Sequence, residues 1–420
     1  MNLRKVIFNI IKFRDYKYIK AVKKNLRNNI EKPVQINEFN KDNFLEFITN
    51  NSVYYKQYKD KKIYDFPIVT KRDIVDNYNE IATIKPEKRK KLMKVSTSGS
   101  YGTPLSFYVT KEKRLTQQGE VLFFGSYSNF DLGIKHLYIR VIKPSFKNMI
   151  IKNQYILKPG NIDQNWMRKA LKKISNEKHK VIITYPSIMN NLATYACEHQ
   201  YEIKHIKGII TYGEKLDEKS SQNIYKAFNC KPLSRYSTEE LGVLANTKID
   251  SNEMILNQVN YYIEILDENN EPVAEGNTGK VVVTDFNSHI IPLVRYDTGD
   301  LATLTSYKDG LPHTISNIEG RKIETVYNTK GDALMPFNIN IMMSKIENIY
   351  QFQFIQKGRK EYDLKILPKK SFDESKLNEL KKQYKKLLGE DALININLVE
   401  KIETLKSGKR PYIINQYTQK

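Results

Sequence analysis

Val181-Ile182-Ile183-Thr184-Tyr185-Pro186 and Ile206-Lys207-Gly208-Ile209-Ile210-Thr211-Tyr212-Gly213-Glu214 set the reading of the fold. Each is a short run rich in β-branched residues and bounded by proline or glycine, which reads as a buried strand. Between them Ser187 reads as the cap of a helix that ends near Gln200. A second helix is expected from Asp217 to Phe228. Strands alternating with helices predict a parallel α/β sheet.

Toward the C-terminus, Pro232-Leu233-Ser234-Arg235-Tyr236-Ser237-Thr238-Glu239-Glu240-Leu241-Gly242 is polar and ends in glycine after an apolar lead. From Tyr261 the rhythm changes to short strands, Tyr261 to Leu266 and Gly279 to Thr284, with a turn at Asp267 to Asn270. That pattern predicts an antiparallel, barrel-like subdomain. It closes on Ile291-Pro292-Leu293-Val294-Arg295-Tyr296-Asp297-Thr298-Gly299-Asp300-Leu301. Beyond Glu319-Gly320-Arg321 a compact α+β unit is expected. Its strands lie around Phe352, at Tyr362 to Ile366 and at Ala392 to Val399, with a lysine-rich helix from Glu374 to Leu388.

Toward the N-terminus, Thr97-Ser98-Gly99-Ser100-Tyr101-Gly102-Thr103-Pro104 places two glycines and four Ser/Thr hydroxyls in eight residues, just after Lys88-Arg89-Lys90-Lys91. Such a loop suits an anion, because glycines admit close backbone approach and successive N–H groups form a positive concavity. A hairpin turn has the same composition for local reasons. No Gly-Lys-Ser/Thr follows at the spacing of a Walker A loop. A helix is expected from Lys111 to Phe124, and Thr70 with Asp73 forms a capping box. Residues 1 to about 60 read as helical. The first eleven, basic and then apolar, suit a helix packed on the first domain or resting on a membrane surface.

A length of 420 residues calls for two or three domains. Hydrophobic content of 40% with 11% aromatics is globular. The net charge of +22 is spread along the chain among acidic residues, and fits a basic protein that handles anionic substrates or cofactors. No recognisable nucleic-acid-binding module accompanies it, so no nucleic acid partner is expected. Two isolated cysteines, Cys197 and Cys230, form no disulfide framework and point to a cytoplasmic setting. No apolar run reaches the ~18 residues of a membrane span. His289 and His313 are isolated and read as surface or core residues, and Trp166 and the tyrosines read as packing.

Together these stretches resemble the AMP-forming adenylating enzymes, and most closely the phenylacetate–CoA ligase-like proteins, including the branch associated with capsular polysaccharide biosynthesis. Five segments, in order, carry the resemblance from Phe66 to the C-terminus. Thr97 to Pro104 is similar to the family's Thr-Ser-Gly-Ser-Thr-Gly-x-Pro phosphate loop, with Tyr101 where threonine is usual and Leu105 where many relatives carry lysine. Thr97, Ser98, Gly99, Ser100, Gly102 and Thr103 are therefore candidate ATP contacts. Tyr212-Gly213-Glu214 resembles the segment lining the adenine side, which gives Gly213 and Glu214. Tyr236-Ser237-Thr238-Glu239 resembles Tyr-Gly-x-Thr-Glu with serine for glycine. It implies Tyr236 at the nucleotide, Thr238 at a phosphate and Glu239 as Mg²⁺ ligand.

Arg295-Tyr296-Asp297-Thr298-Gly299-Asp300 matches the family's Arg-Tyr-x-Thr-Gly-Asp and implies Asp300 on the ribose hydroxyls. Arg321 resembles the arginine near the ribose at the domain hinge, although Ile323 precedes Glu324 where acidic residues are usual. Ser407-Gly408-Lys409-Arg410 resembles the segment that carries the catalytic lysine, making Lys409 the candidate and Lys406 its backup. The Cys/His metal cluster of some relatives has no counterpart, since Ala245 to Asn257 holds neither residue type.

The resemblance implies an N-terminal adenylation domain, residues 1–320, built of parallel α/β sheets plus the barrel-like subdomain, and a smaller mobile α+β lid, residues 321–420. The implied activity is an ATP- and Mg²⁺-dependent ligase that makes an acyl-adenylate and passes the acyl group to CoA, a carrier thiol or a sugar in surface polysaccharide biosynthesis. It would work in the cytoplasm or at the inner face of the membrane. The alternative is an impaired nucleotide-binding homologue that scaffolds polysaccharide assembly.

Overall fold

The structure is a computed structural model that describes residues 13–32, 34–96, 106–140, 149–150, 152–159, 164–319, 326–334, 339, 342–343, 346–368, 371–402 and 413–417. The chain forms two compact units, the larger drawn from residues 1–95, 107–160 and 164–320, the smaller chiefly from 321–420.

Two helices, α1 (Phe13–Asn29) and α2 (Val34–Asn51), open the larger unit. Helix α3 (Lys71–Asp76) starts on the expected capping box: Thr70 Oγ1 accepts from the Asp73 backbone N–H and Asp73 answers on the Thr70 N–H. Strands β1 (Met93–Ser96) and β2 (Ser106–Val109) pair with each other. Helix α4 (Lys111–Gly125) follows with Thr110 as its cap.

The parallel half contains β3 (His136–Ile139), β4 (Gln154–Leu157), helix α5 (Gln164–Glu177), β5 (Val181–Thr184), α6 (Pro186–Glu198), β6 (Gly208–Tyr212), α7 (Glu218–Phe228) and β7 (Pro232–Thr238). Strands β4, β5 and β6 each feed a helix that returns the chain to the sheet, and β3 to β7 run parallel. Helix α6 departs from expectation in one detail. It begins at Pro186, whose fixed φ suits the first turn, with Tyr185 and not Ser187 at the cap.

The antiparallel half is made of β8 (Gly242–Thr247), β9 (Met254–Leu256), β10 (Tyr261–Leu266), β11 (Thr278–Asp285), β12 (Tyr296–Lys308) and β13 (Leu311–Glu319). Among the described residues these strands continue the parallel half in one eleven-stranded sheet, in the order β10-β11-β12-β13-β9-β8-β7-β6-β5-β3-β4. The barrel-like curl arises because β10 comes back toward β13. Gln258 Nε2 donates to the carbonyls of both Ile263 and Pro312, at 2.8 and 3.0 Å.

Helices α1 and α4 cover one face of the parallel half. Ile19, Leu115 and Leu122 pack there on Val181, Ile183 and Ile210. Burial of each such side chain contributes about 1.5–3 kcal/mol. Leu26, Phe123 and Phe124 extend the same layer onto Val243 and Ile255.

The smaller unit starts with the hairpin β14 (Val326–Tyr327) and β15 (Ala333–Leu334). A four-stranded sheet follows, from β16 (Ile349–Gln356), β17 (Glu361–Pro368), β18 (Leu393–Leu398) and β19 (Ile413–Asn415), in the order β18-β17-β16-β19. Helix α8 (Lys376–Leu388) connects β17 to its parallel neighbour β18 and starts two residues later than the composition suggested. Its Leu380, Tyr384 and Leu388 fill the core, with the Tyr384 ring stacked on Phe354 at 5.4 Å. Among the described residues no helix is long and apolar enough to cross a membrane.

Candidate functional site

Strand β7 lies where the sheet changes from parallel to antiparallel. Its end carries Tyr236, Ser237 and Thr238, and the tight turn Glu239-Glu240 then leads into β8. Tyr236 and Asp300 are 64 residues apart in sequence, yet the Tyr236 hydroxyl donates to Asp300 Oδ2 at 2.8 Å. Thr298 Oγ1 sits 3.2 Å from the same hydroxyl, accepts from the Asp300 backbone N–H and donates to the Val281 carbonyl. Burial, and then the charge of Asp300, keep the Tyr236 phenol well above its ordinary pKa, so it remains a donor. Two of the segments that carried the resemblance therefore meet.

Thr238 Oγ1 accepts from the Leu241 backbone N–H at 3.2 Å, which leaves its own proton to donate elsewhere. Glu239 is exposed at the tip of the turn and has no partner among the described residues. A carboxylate so placed fits a hard cation that also bridges phosphate oxygens. Behind the turn, Gln117 and Tyr261 both donate to the Leu241 carbonyl at 2.8 Å. Glu120 accepts from the Val243 N–H at 3.0 Å and from Asn260 at 2.7 Å, and its Oε2 lies 3.1 Å from the Tyr261 hydroxyl. Burial pushes the Glu120 carboxyl up to about 7, against the pull of those hydrogen bonds. Tyr296 reaches Glu240 Oε1 at 3.4 Å from β12.

Gly213 follows β6 with φ of +78°, and Glu214 turns back onto α6, where its Oε2 accepts from the Ser187 N–H at 3.0 Å. Burial raises the Glu214 pKa and the two Ser187 hydrogen bonds lower it, with a net upward shift. The Tyr212 ring lies 4.8 Å from Tyr185 and 5.7 Å from Tyr138, so three phenols cluster at the carboxyl ends of β3, β5 and β6. Thr97, Ser98, Gly99, Ser100, Gly102, Thr103, Arg321, Lys406 and Lys409 lie outside the described residues.

Two arginines of these segments acquire roles that sequence reading missed. Arg295, with φ of +43°, is an anchor. It grips both oxygens of Glu264 at 3.0 and 3.1 Å and donates to the carbonyls of Tyr64 and Phe66. Arg235 precedes Tyr236 on β7 and is buried, and no acceptor reaches its Nε. Only its adjacency to the motif could have singled it out. His289 packs between Phe44 and Phe47, while His313 Nε2 meets Glu31 at 3.2 Å.

Residues 326–416 match the family model of the CapK C-terminal domain. Over 395 residues the chain is 22% identical to protein CapK of Staphylococcus aureus, covering 90% of this chain and 85% of that protein. Among solved structures, 2-hydroxyisobutyryl-CoA ligase with 2-HIB-AMP and CoA in the thioesterification state superposes with a TM-score of 0.57 at 15% identity, over 93% of this chain and 90% of that one. The open conformation of that ligase, with the same two molecules, gives 0.54 at 16% identity, over 94% and 91%. The chain has the architecture of an adenylate-forming enzyme, with a large α/β sheet domain and a separate smaller C-terminal domain.

Proposed function

We propose that the chain is an ATP-dependent, AMP-forming ligase that activates a carboxylic acid. The observation that carries this reading is the Tyr236–Asp300 hydrogen bond, which sets an ionised two-oxygen acceptor beside the turn bearing Thr238 and Glu239. In the first half-reaction an oxygen of the acid attacks the α-phosphorus of ATP. The bond from that phosphorus to the β-bridging oxygen breaks, and pyrophosphate leaves with the displaced electron pair. Asp300 accepts from the ribose hydroxyls while Tyr236 holds it in place. Thr238 donates to the α-phosphate. The 97–104 loop and Lys409 offset the repulsion between the two anions, and Arg321 steadies the ribose side. Mg²⁺ on Glu239 would neutralise phosphate charge.

In the second half-reaction a nucleophile attacks the acyl carbon, AMP leaves, and the nucleophile's proton passes to solvent. We assign CoA, a carrier thiol or a sugar as acceptor, the smaller unit as a mobile lid, and surface polysaccharide synthesis as the setting, in the cytoplasm or against the membrane. The similarity to CapK supports the setting, and the fold shared with a CoA ligase supports the chemistry.

Equilibrium titration of ATP with Mg²⁺ tests the nucleotide site. Asp300→Ala should weaken binding about 10²- to 10⁴-fold, the contribution of two hydrogen bonds to a charged group at about 1.5–3 kcal/mol each. Unchanged affinity would contradict the assignment.

A further inference from the structure

Of the three buried arginines among the described residues, Arg89 and Arg295 have hydrogen-bond acceptors, and Arg235 has none. Arg235 is 8% exposed, and its guanidinium lies over the Tyr212 ring at 5.6 Å. A buried cation without a counter-charge destabilises a fold by several kcal/mol. A buried polar group left without a partner calls for an explanation, and a bound ligand or ion is one.

Arg235 sits in the last row of the parallel ladder, directly opposite Tyr212. Side chains alternate along a strand, so Arg235 and Tyr236 point to opposite faces of β7. Tyr236 serves Asp300 on one face. On the other, Arg235 joins Tyr212, Tyr185 and Tyr138, and Arg140 caps the Tyr138 ring at 4.9 Å. Two guanidinium groups and three phenols thus gather at the carboxyl ends of β3, β5 and β6 and beside Arg235 on β7. Glu214 is the carboxylate in this neighbourhood, and it is turned onto the Ser187 N–H.

We propose that this crevice selects a dicarboxylic acid, with Arg235 binding the carboxylate that is not activated. The inference rests on the ligase reading for the identity of the other carboxylate. The planar fork of arginine matches a carboxylate edge in two parallel hydrogen bonds. The Tyr138, Tyr185 and Tyr212 hydroxyls add donors, with Tyr185 and Tyr212 held above their ordinary pKa chiefly by burial. A monocarboxylic acid would leave Arg235 without a partner.

The test is calorimetric titration of the full chain, with ATP analogue present, by malonate, succinate, glutarate and glucarate beside propionate, butyrate and valerate, with 3-phosphoglycerate as a phosphate arm. At least one diacid should bind about 10- to 100-fold more tightly than its monoacid partner. Arg235→Gln should erase that preference with monoacid affinity unchanged, and Arg235→Lys should restore part of it. Arg235→Met should raise the unfolding midpoint, because a structural arginine would lower it when replaced. No preference for any diacid, tighter binding of 3-phosphoglycerate than of every diacid, or equal loss of both acid classes in Arg235→Gln would overturn the proposal. Pyrophosphate release reads the ligase assignment separately. Diacid binding without release contradicts that assignment alone, whereas release with monoacids only contradicts this inference alone.

Discussion

Glu120 shows how much the site depends on one buried carboxyl. It touches the Val243 N–H, Asn257, Asn260 and Tyr261, and so holds the start of β8 behind the Thr238–Leu241 turn. Its pKa rises from 4.5 to about 7, chiefly through burial. A carboxyl held above its unfolded value binds its proton more tightly when folded. Its contribution is therefore full below about pH 4.5 and is lost as pH climbs to about 7. The loss is about 3 kcal/mol, since each pKa unit corresponds to about 1.4 kcal/mol. Urea unfolding at pH 5 and pH 8 should show the wild type losing about 2–3 kcal/mol more than Glu120→Gln across that interval. Parallel pH profiles for the two proteins would contradict this account. At this scale the resemblance singled out Tyr236, Thr238 and Asp300, and the structure brings Tyr236 and Asp300 into hydrogen-bond contact. Arg295 and Arg235 could not be sorted from sequence. Both precede a tyrosine, and only the fold makes one a four-bond anchor and leaves the other unpartnered.

The element on which the proposed nucleotide site rests is the β7–turn–β8 hairpin, and Gly242 is its tightest point. It has φ of +133°, and a Cβ there would meet Glu120 Oε2 and the Tyr261 hydroxyl at 2.5 Å each. Gly242→Ala must therefore push apart the carboxylate and phenol that hold the Leu241 carbonyl and the Val243 N–H. Urea unfolding should show a loss of about 2–3 kcal/mol, and Mg²⁺-dependent ATP affinity should fall with it as the Thr238 and Glu239 positions shift. Wild-type affinity in the variant would separate the hairpin from nucleotide binding. The parallel strands were legible because β5 and β6 are continuous β-branched runs buried on both faces. The start of α6 was misplaced by two residues because Pro186 satisfies its first turn without a side-chain cap, and Glu214 answers the Ser187 N–H from 27 residues away. Local composition holds no record of such a partner.

For the molecule as a whole, the division into two units near residue 320 and the α/β character follow from where the strand rhythm changes. The joining of both halves into one sheet does not. It depends on pairings such as β9 with β13, where Ile255 meets Thr314, and no spacing rule announces a contact across so many residues. Basic charge of +22 spread over the surface suits a protein that gathers ATP and an anionic acid, whose mutual repulsion the site must offset. The central claim, adenylation of a carboxylic acid, is tested most directly by pyrophosphate release from ATP and Mg²⁺ across a panel of mono- and dicarboxylic acids, with Lys409→Ala alongside. The account predicts release that requires an acid and falls about 10²- to 10³-fold in the variant, while ATP still binds. ATP binding with no acid-dependent release from the wild type, or release that Lys409→Ala leaves untouched, would contradict it.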